Sequence, residues 1–380
     1  MTSTTPYSQL QEDPPMPVPQ IRAAALGAGF FGSILAHEAA RHPDIQVELV
    51  ADRDLSSATS LAARLDAQAV DDLAQVTSSD VDLVFVATPN HLHAAHVLAA
   101  LEAGKHVFVE KPLTITADDA MALTTAAART GRLLMVGHVL RTLPGVLRMH
   151  RMATSGELGE LLEATGTRTR VVHVPDGAGD WWKLDPSRSG GELLHELHEL
   201  DLVCWFLGGR PERVVSLSGA PVRVAEHQLD TVTRTTMLFP NRAVGFHDLS
   251  TSAHASAWSF RVTGTEAALE VDFKTATVRH VVDGHEVDAW GVFDDPTANE
   301  SLRESARSKQ AYHRHNDGAS VPPSWMTRAV RHEMDQVVHT LTTGDGVLTQ
   351  FPDSAVLAAL DAFAAGRVAL GDAARSTVHA

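Results

Sequence analysis

The chain is predicted to fold as an α/β protein in two parts: a doubly wound parallel sheet, then a second α/β unit built on a large, open, mostly antiparallel sheet. Three features predict it. An early apolar strand runs through a glycine turn into a helix; short apolar strands then alternate with alanine-rich helices to about residue 145; longer β-like segments take over beyond it.

The first element is a strand from Ala23 to Leu26, followed by Gly27, Gly29 and Gly32 in G-x-G-x-x-G spacing, with Phe30 and Phe31 between the glycines, and then a helix from Ser33 to Ala40. This is the strand-turn-helix that cradles a pyrophosphate on backbone amides and the positive end of a helix dipole. A second strand, Gln46 to Ala51, ends in Asp52, whose carboxylate is placed to accept hydrogen bonds from ribose hydroxyls. That favours NAD, while Arg53 leaves NADP possible because a guanidinium there could bind a 2′-phosphate. Val81 to Ala87, His106 to Val109 and Leu133 to Val136 are apolar runs suited to parallel strands buried on both faces, with helices His93 to Ala103 and Ala117 to Thr130 between them.

Past Pro144 to Thr154 the rhythm changes to β-like segments at Glu163 to Val174, Arg213 to Ser218, Asp230 to Phe239, Ala243 to Ser250, Trp258 to Thr263 and Ala268 to Asp272, with a hairpin turn at Pro240-Asn241. Thr327 to Thr342 and Asp353 to Leu370 have helical spacing and are expected to pack back towards the first unit. The division expected is a flexible extension over 1–20, a nucleotide-binding unit over 21–145 and a substrate unit over 146–380; five prolines and no apolar core mark the extension.

With 380 residues, 44% of them hydrophobic, the chain has material for two cores. A formal charge of −16 argues against nucleic acid or an anionic membrane as the main partner. No segment has the apolar length of a membrane span, and the single cysteine, Cys204, fits a reducing compartment, so the cytoplasm is expected. Open sheets commonly associate face to face, so a homo-oligomer is expected.

The motif Thr88-Pro89-Asn90-His91-Leu92-His93, followed by Glu110-Lys111-Pro112, then Ser189-Gly190-Gly191 leading to His198 and Asp201, closely resembles the Gfo/Idh/MocA oxidoreductases over nearly the whole chain. The resemblance implies an N-terminal Rossmann domain and a C-terminal domain whose sheet floors a sugar or polyol pocket. It places Lys111 near the nicotinamide and the reacting hydroxyl, and His198 on the active-site histidine. A lysine at the C-terminal edge of a buried parallel strand lies where such sheets bind ligands, and its ammonium can stabilise a developing alkoxide. An imidazole titrating near neutrality can move the hydroxyl proton either way. Thr88, Pro89, Asn90, His93 and Glu110 fall on the nicotinamide pocket, and Trp181, Trp182 and Lys183 on a segment that closes over substrate. Arg141 is a further candidate for substrate contact; with Arg168, Arg170 and Arg188 it is expected either to bind an acidic substituent or to pair with surface carboxylates.

If Glu192 to Leu207 is one helix, His195, His198, Glu199 and Asp201 share a face. The spacing His195-Glu-Leu-His198 is one residue short of H-E-x-x-H, and no metal is expected. Many relatives carry aspartate where this chain has Leu194, and glycine where it has Glu196; His195 could replace the missing group, or Glu199 could orient His195. The function implied is NAD-dependent hydride transfer at a secondary hydroxyl of a sugar, sugar derivative or glycoside. The alternative is NAD-dependent glycoside hydrolysis by transient oxidation, elimination, water addition and re-reduction.

Overall fold

Strands buried on both faces must be apolar throughout and short enough to be covered by helices. Leu83–Val86 and Ala23 to Leu26 meet that demand, every residue in them being buried. The computed structural model describes residues 20–171, 182–219, 222–224, 227–229, 232–307 and 321–376. The N-terminal extension up to residue 19, Trp181, residues 172–174 of one expected strand and Asp230 and Thr231 of another lie outside the described residues.

The first half alternates strand and helix in chain order: β1 (Ile21–Leu26), α1 (Phe30–Arg41), β2 (Ile45–Ala51), α2 (Leu55–Leu65), β3 (Gln68–Val70), α3 (Leu73–Ser78), β4 (Leu83–Val86), α4 (His93–Glu102), β5 (His106–Glu110), α5 (Ala117–Thr130) and β6 (Leu134–Gly137). The six strands are parallel in the order β3-β2-β1-β4-β5-β6, the doubly wound arrangement in which ligands bind where the order reverses, between β1 and β4. Caps set helix starts: Asp54 accepts from Ser56 N at 3.1 Å, and Thr116 from Asp119 N at 3.2 Å.

After α6 (Pro144–Thr154) come β7 (Leu161–Val171), α7 (Pro186–Ser189), α8 (Glu192–His195), α9 (His198–Leu207) and β8 (Arg213–Ser218). A small ladder of β9 (Val222–Val224) and β10 (His227–Leu229) follows, then β11 (Val232–Leu238), β12 (Val244–Ser250), β13 (Ser252–Gly264), β14 (Ala268–Asp272), β15 (Thr277–Val282) and β16 (His285–Gly291). The large sheet has the order β16-β15-β14-β13-β7-β12-β11-β8, antiparallel except where β7 and β12 run parallel. The hairpin expected at Pro240-Asn241 joins β11 to β12, with Asn241 Oδ1 accepting from Ala243 N at 3.1 Å.

The chain ends in α10 (Pro296–Arg307), α11 (Ser324–Thr343) and α12 (Ser354–Ser376). Of the two C-terminal helices expected to return to the first half, α11 does so squarely: Val330, Met334 and Val337 share a core with Ala23, Ile34 and Phe85, and Arg331 donates to the buried Glu38 of α1 at 2.8 Å. The other, α12, packs chiefly on β8 and α9 and also meets α5.

The expectation of one helix from Glu192 to Leu207 is corrected. The backbone leaves the helix at Glu196 (φ −112°, ψ 37°), because the Glu196 carboxylate is drawn onto the sheet by Arg170 and Arg168 of β7. Arg141 is corrected too. It is fully buried, donating to both carboxylate oxygens of Asp201 at 2.8 and 2.6 Å and to the carbonyls of Val347 and Gln350 at 2.9 and 2.6 Å. With four of its five N–H donors engaged it joins α9 to the first half and does not line the cavity. Replacing Asp201 by alanine strands this guanidinium, so Asp201→Ala is expected to lose roughly 3–5 kcal/mol in urea unfolding; a loss under about 1 kcal/mol would show the pair to be dispensable.

Candidate active site

A cavity of about 690 Å³ opens at the C-terminal edge of the first sheet and extends under the second. Its nucleotide end is built on the glycine turn. Gly27 has φ +107°, and a Cβ there would sit 2.6 Å from the Ala87 carbonyl oxygen; at Gly32 it would sit 2.1 Å from the Gly27 oxygen. β1, β4 and α1 can approach only without those side chains. At Gly29 a Cβ would meet nothing within 4 Å, so the space above the turn is open. Gly29 also caps α1 with no side-chain hydrogen bond and no acidic residue in the first turn, which leaves amides for an anion. Asp52 is held by its own backbone surroundings, accepting from Ala28 N at 2.8 Å and Asp54 N at 2.9 Å, and it lines the cavity beside the exposed Arg53. These residues fit a dinucleotide, with pyrophosphate over Gly27 to Gly32 and ribose against Asp52.

Phe30, Phe31, Thr88, Pro89, Asn90, His93, Glu110 and Lys111 also line the cavity. Asn90 ties the halves together, its Nδ2 donating to Ser189 O at 2.7 Å. Both ring nitrogens of the buried His93 face backbone carbonyls, Nδ1 to Pro112 O at 2.7 Å and Nε2 to Thr88 O at 2.8 Å. Burial outweighs those carbonyls and lowers its pKa to about 4. His93 therefore braces the Thr88 turn against Pro112, and its nitrogens are not open to a cofactor.

At the other end Lys111, Trp182, Lys183, His195 and His198 converge. Lys111 Nζ donates to the carbonyl of His195 at 2.8 Å. That carbonyl closes α8, where helix geometry leaves oxygens without intrahelical partners. Burial lowers the Lys111 pKa, opposed by Glu196 and Glu110. Burial, then the charge of Lys111, pushes both His195 and His198 well below the ordinary imidazole value, so both are neutral at pH 7. The buried Nδ1 of each has no hydrogen-bond partner among the described residues. Glu196 is ionised: burial raises its pKa, but Arg170 and Arg168 outweigh that and carry it well below the carboxylate range.

Glu199 does not orient His195. No hydrogen bond links them among the described residues, and the carboxylate beside His195 is Glu196, with Nε2 to Oε1 at 3.9 Å. Neither Glu199 nor Asp201 lines the cavity: the backbone and Cβ of Glu199 lie against Gly166 of β7, and Asp201 binds Arg141 and faces His138. Several cavity residues escaped the sequence-based assignment. Trp258 of β13 and Trp325 of α11 meet edge to face at 6.0 Å, and Arg168 lies 4.1 Å over the Trp258 ring. The tryptophans stand 67 positions apart in a strand and a helix, and no local pattern links them; the arginines at 168 and 170 did show a period of two on a strand, the signal for one sheet face.

A parallel sheet with a nucleotide cradle, facing a second sheet across a cavity that holds lysine and imidazole, defines a nucleotide-dependent oxidoreductase. Residues 21–138 match the model of the GFO/IDH/MocA oxidoreductase family, NAD-binding Rossmann fold, and residues 146–270 match the GFO/IDH/MocA C-terminal domain. The chain belongs to the Gfo/Idh/MocA oxidoreductases. It is 28% identical over 322 residues to the 2,7-anhydro-N-acetylneuraminate hydratase of Mediterraneibacter gnavus, covering 82% of this chain and 83% of that one. It is 32% identical over 195 residues to the 1,5-anhydro-D-fructose reductase of Ensifer adhaerens, covering 51% and 58%. A levoglucosan dehydrogenase solved with NADH and levoglucosan has the same fold, at a TM-score of 0.74 and 21% identity over 92% of this chain and 97% of that one.

Burial raises Glu199 from an ordinary 4.5 to about 7, so the folded protein holds a proton there that the unfolded chain releases. Its contribution is full below the unfolded value of 4.5 and is lost as pH rises through about 7. Glu199→Gln should therefore gain thermal stability relative to the parent between about pH 5 and about pH 8; a difference that does not vary with pH would show the carboxyl to be ionised in the fold.

Proposed function

We propose that the enzyme oxidises a secondary hydroxyl of a sugar, sugar derivative or glycoside. The observation that carries this reading is the convergence of Lys111 and His198 on one cavity with the nucleotide cradle. NAD, when bound, supplies the hydride acceptor. Lys111 has three N–H donors and spends one on the His195 carbonyl, leaving two to hold the substrate oxygen and stabilise negative charge as it forms. His198 is neutral, so it can accept the hydroxyl proton and return it in the reverse direction. Trp182 offers an apolar face to a sugar ring, and β7 and β13 form the floor. The named activities of the reductase relative above and of the levoglucosan dehydrogenase support a carbohydrate substrate.

The glycoside-hydrolase route stays open on one observation. His195 adds a second neutral imidazole beside Lys111 that simple hydride transfer does not need, and the hydratase relative is named for a reaction other than net oxidation. The division into a cofactor unit over 21–145 and a substrate unit over 146–380, with α11 returning to the first, belongs to the same reading. So do a cytoplasmic site of action and a homo-oligomer, supported by the buried free Cys204 and by the exposed Val215 and Leu217 of the edge strand β8. Among the described residues no helix is long and apolar enough to cross a membrane.

Lys111→Met is expected to abolish NAD reduction across a sugar panel while NAD binding, followed by calorimetry, persists; retained turnover would reject the assignment. With the parent enzyme, the alkaline limb of kcat/KM should lie below the ordinary lysine value of 10.5, because burial eases loss of the ammonium proton. Incubation with a chromogenic glycoside in deuterated water separates the two routes. Aglycone release with deuterium beside the oxidised carbon and no net NADH would establish hydrolysis, and NADH accumulation without release would establish the dehydrogenase.

A further inference from the structure

The cavity is rich in basic side chains in a protein that is acidic overall. Against a formal charge of −16 for the chain, Lys111, Arg168, Arg170, Lys183 and Arg188 all line it. The facing carboxylates do not balance them. Glu196 is already engaged by Arg170 and Arg168, Glu192 acts on Lys183, and Glu110 is held up at about 7 by burial. The pyrophosphate cradle does not call for this charge either, because it is formed by the N-terminus of α1 across the cavity. Arg170 and Lys183 instead stand close enough to Lys111 to act on its environment.

Arg188 is the informative member. It sits on α7, a short turn whose position is fixed at both ends: Asp185 caps it, accepting from Ser187 N at 2.9 Å, and Asn90 of the first half binds the Ser189 carbonyl at 2.7 Å. The Arg188 side chain is half-buried and lines the cavity, yet among the described residues its guanidinium makes no ion pair and no hydrogen bond. Half-burying a fork of five donors without an acceptor, in a wall that already holds like charge, costs free energy that a bound anion would offset. A planar carboxylate matches that fork in two parallel hydrogen bonds.

We propose that the sugar accepted here bears a carboxylate and that Arg188 receives it. This rests on the carbohydrate reading above and narrows its substrate class from neutral sugars to sugar acids. The carboxylate orients the ring, and the net positive wall favours the acid over its neutral counterpart.

The test is calorimetric binding to the full-length enzyme saturated with NADH, using matched pairs that differ only at the acid carbon: D-glucuronate against D-glucose, and D-galacturonate against D-galactose. At least one acid is expected to bind about tenfold or more tightly than its neutral partner. Arg188→Gln should cut that ratio by about tenfold, and Arg188→Lys should recover part of it. Equal or weaker binding of the acids, or no binding by either acid, overturns the proposal. So does an Arg188→Gln variant that keeps the ratio and loses NADH affinity, since the guanidinium would then serve the cofactor phosphates. NAD reduction by the same sugars is read separately. Acid preference without NADH formation would defeat the dehydrogenase reading and leave the anion subsite standing.

Discussion

A buried pair, Arg141 with Asp201, holds the relation between the two sheets on which the cavity depends. Arg141 follows the last strand of the first sheet, and Asp201 lies one turn beyond His198 on α9. The same guanidinium reaches the carbonyls of Val347 and Gln350, beyond α11, and Gln350 in turn accepts from the Trp205 indole at 2.8 Å. Three distant stretches of chain thus meet at one cation. Taking the charges out of water is costly, and the bidentate geometry with two further acceptors is what makes the arrangement stable. If the pair failed, His198 would lose its register against Lys111.

The second constraint is the break at Glu196. A continuous helix would have consumed the His195 carbonyl in its own ladder; the kink leaves that oxygen facing the first half, where Lys111 uses it as an anchor. The ammonium is thereby aimed from two sides, by the end of β5 and by the end of α8. Burial, and then its charge, keeps His195 and His198 neutral, and a neutral imidazole beside a cation suits a group that takes a proton while negative charge develops next to it. The departures from the usual family pattern at Leu194 and Glu196 follow from the same geometry. Leu194 is fully buried in the core, and Glu196 answers two arginines on the sheet floor.

Much of the first half was legible because its signals are local. A strand, three glycines and a helix lie within 20 residues of each other, and buried parallel strands betray themselves as unbroken apolar runs such as Leu83–Val86. Lys111 could be singled out for the same reason, standing at the end of such a run. Arg141 was misjudged because an arginine carries no mark in sequence of whether its partner is a ligand or Asp201, 60 positions away. The bracing role of His93, which also lines the cavity, was not legible because its two carbonyl partners, on Thr88 and Pro112, come from separate turns. The helix from Glu192 to Leu207 looked continuous because periodicity is blind to a carboxylate being pulled sideways by another strand.

The sequence by itself determined the order of the elements and the glycine turn, and it singled out Lys111 and His198 as candidates, since each signal depends on neighbours within a few residues. Only the tertiary structure decided which charges face the cavity and which are spent inside the protein. Arg141 and Arg188 are chemically the same group; one is buried against Asp201 and two carbonyls, and the other lines the cavity with no partner among the described residues. Long-range packing makes that distinction, because desolvation and Coulomb attraction depend on distance in space and not on separation along the chain.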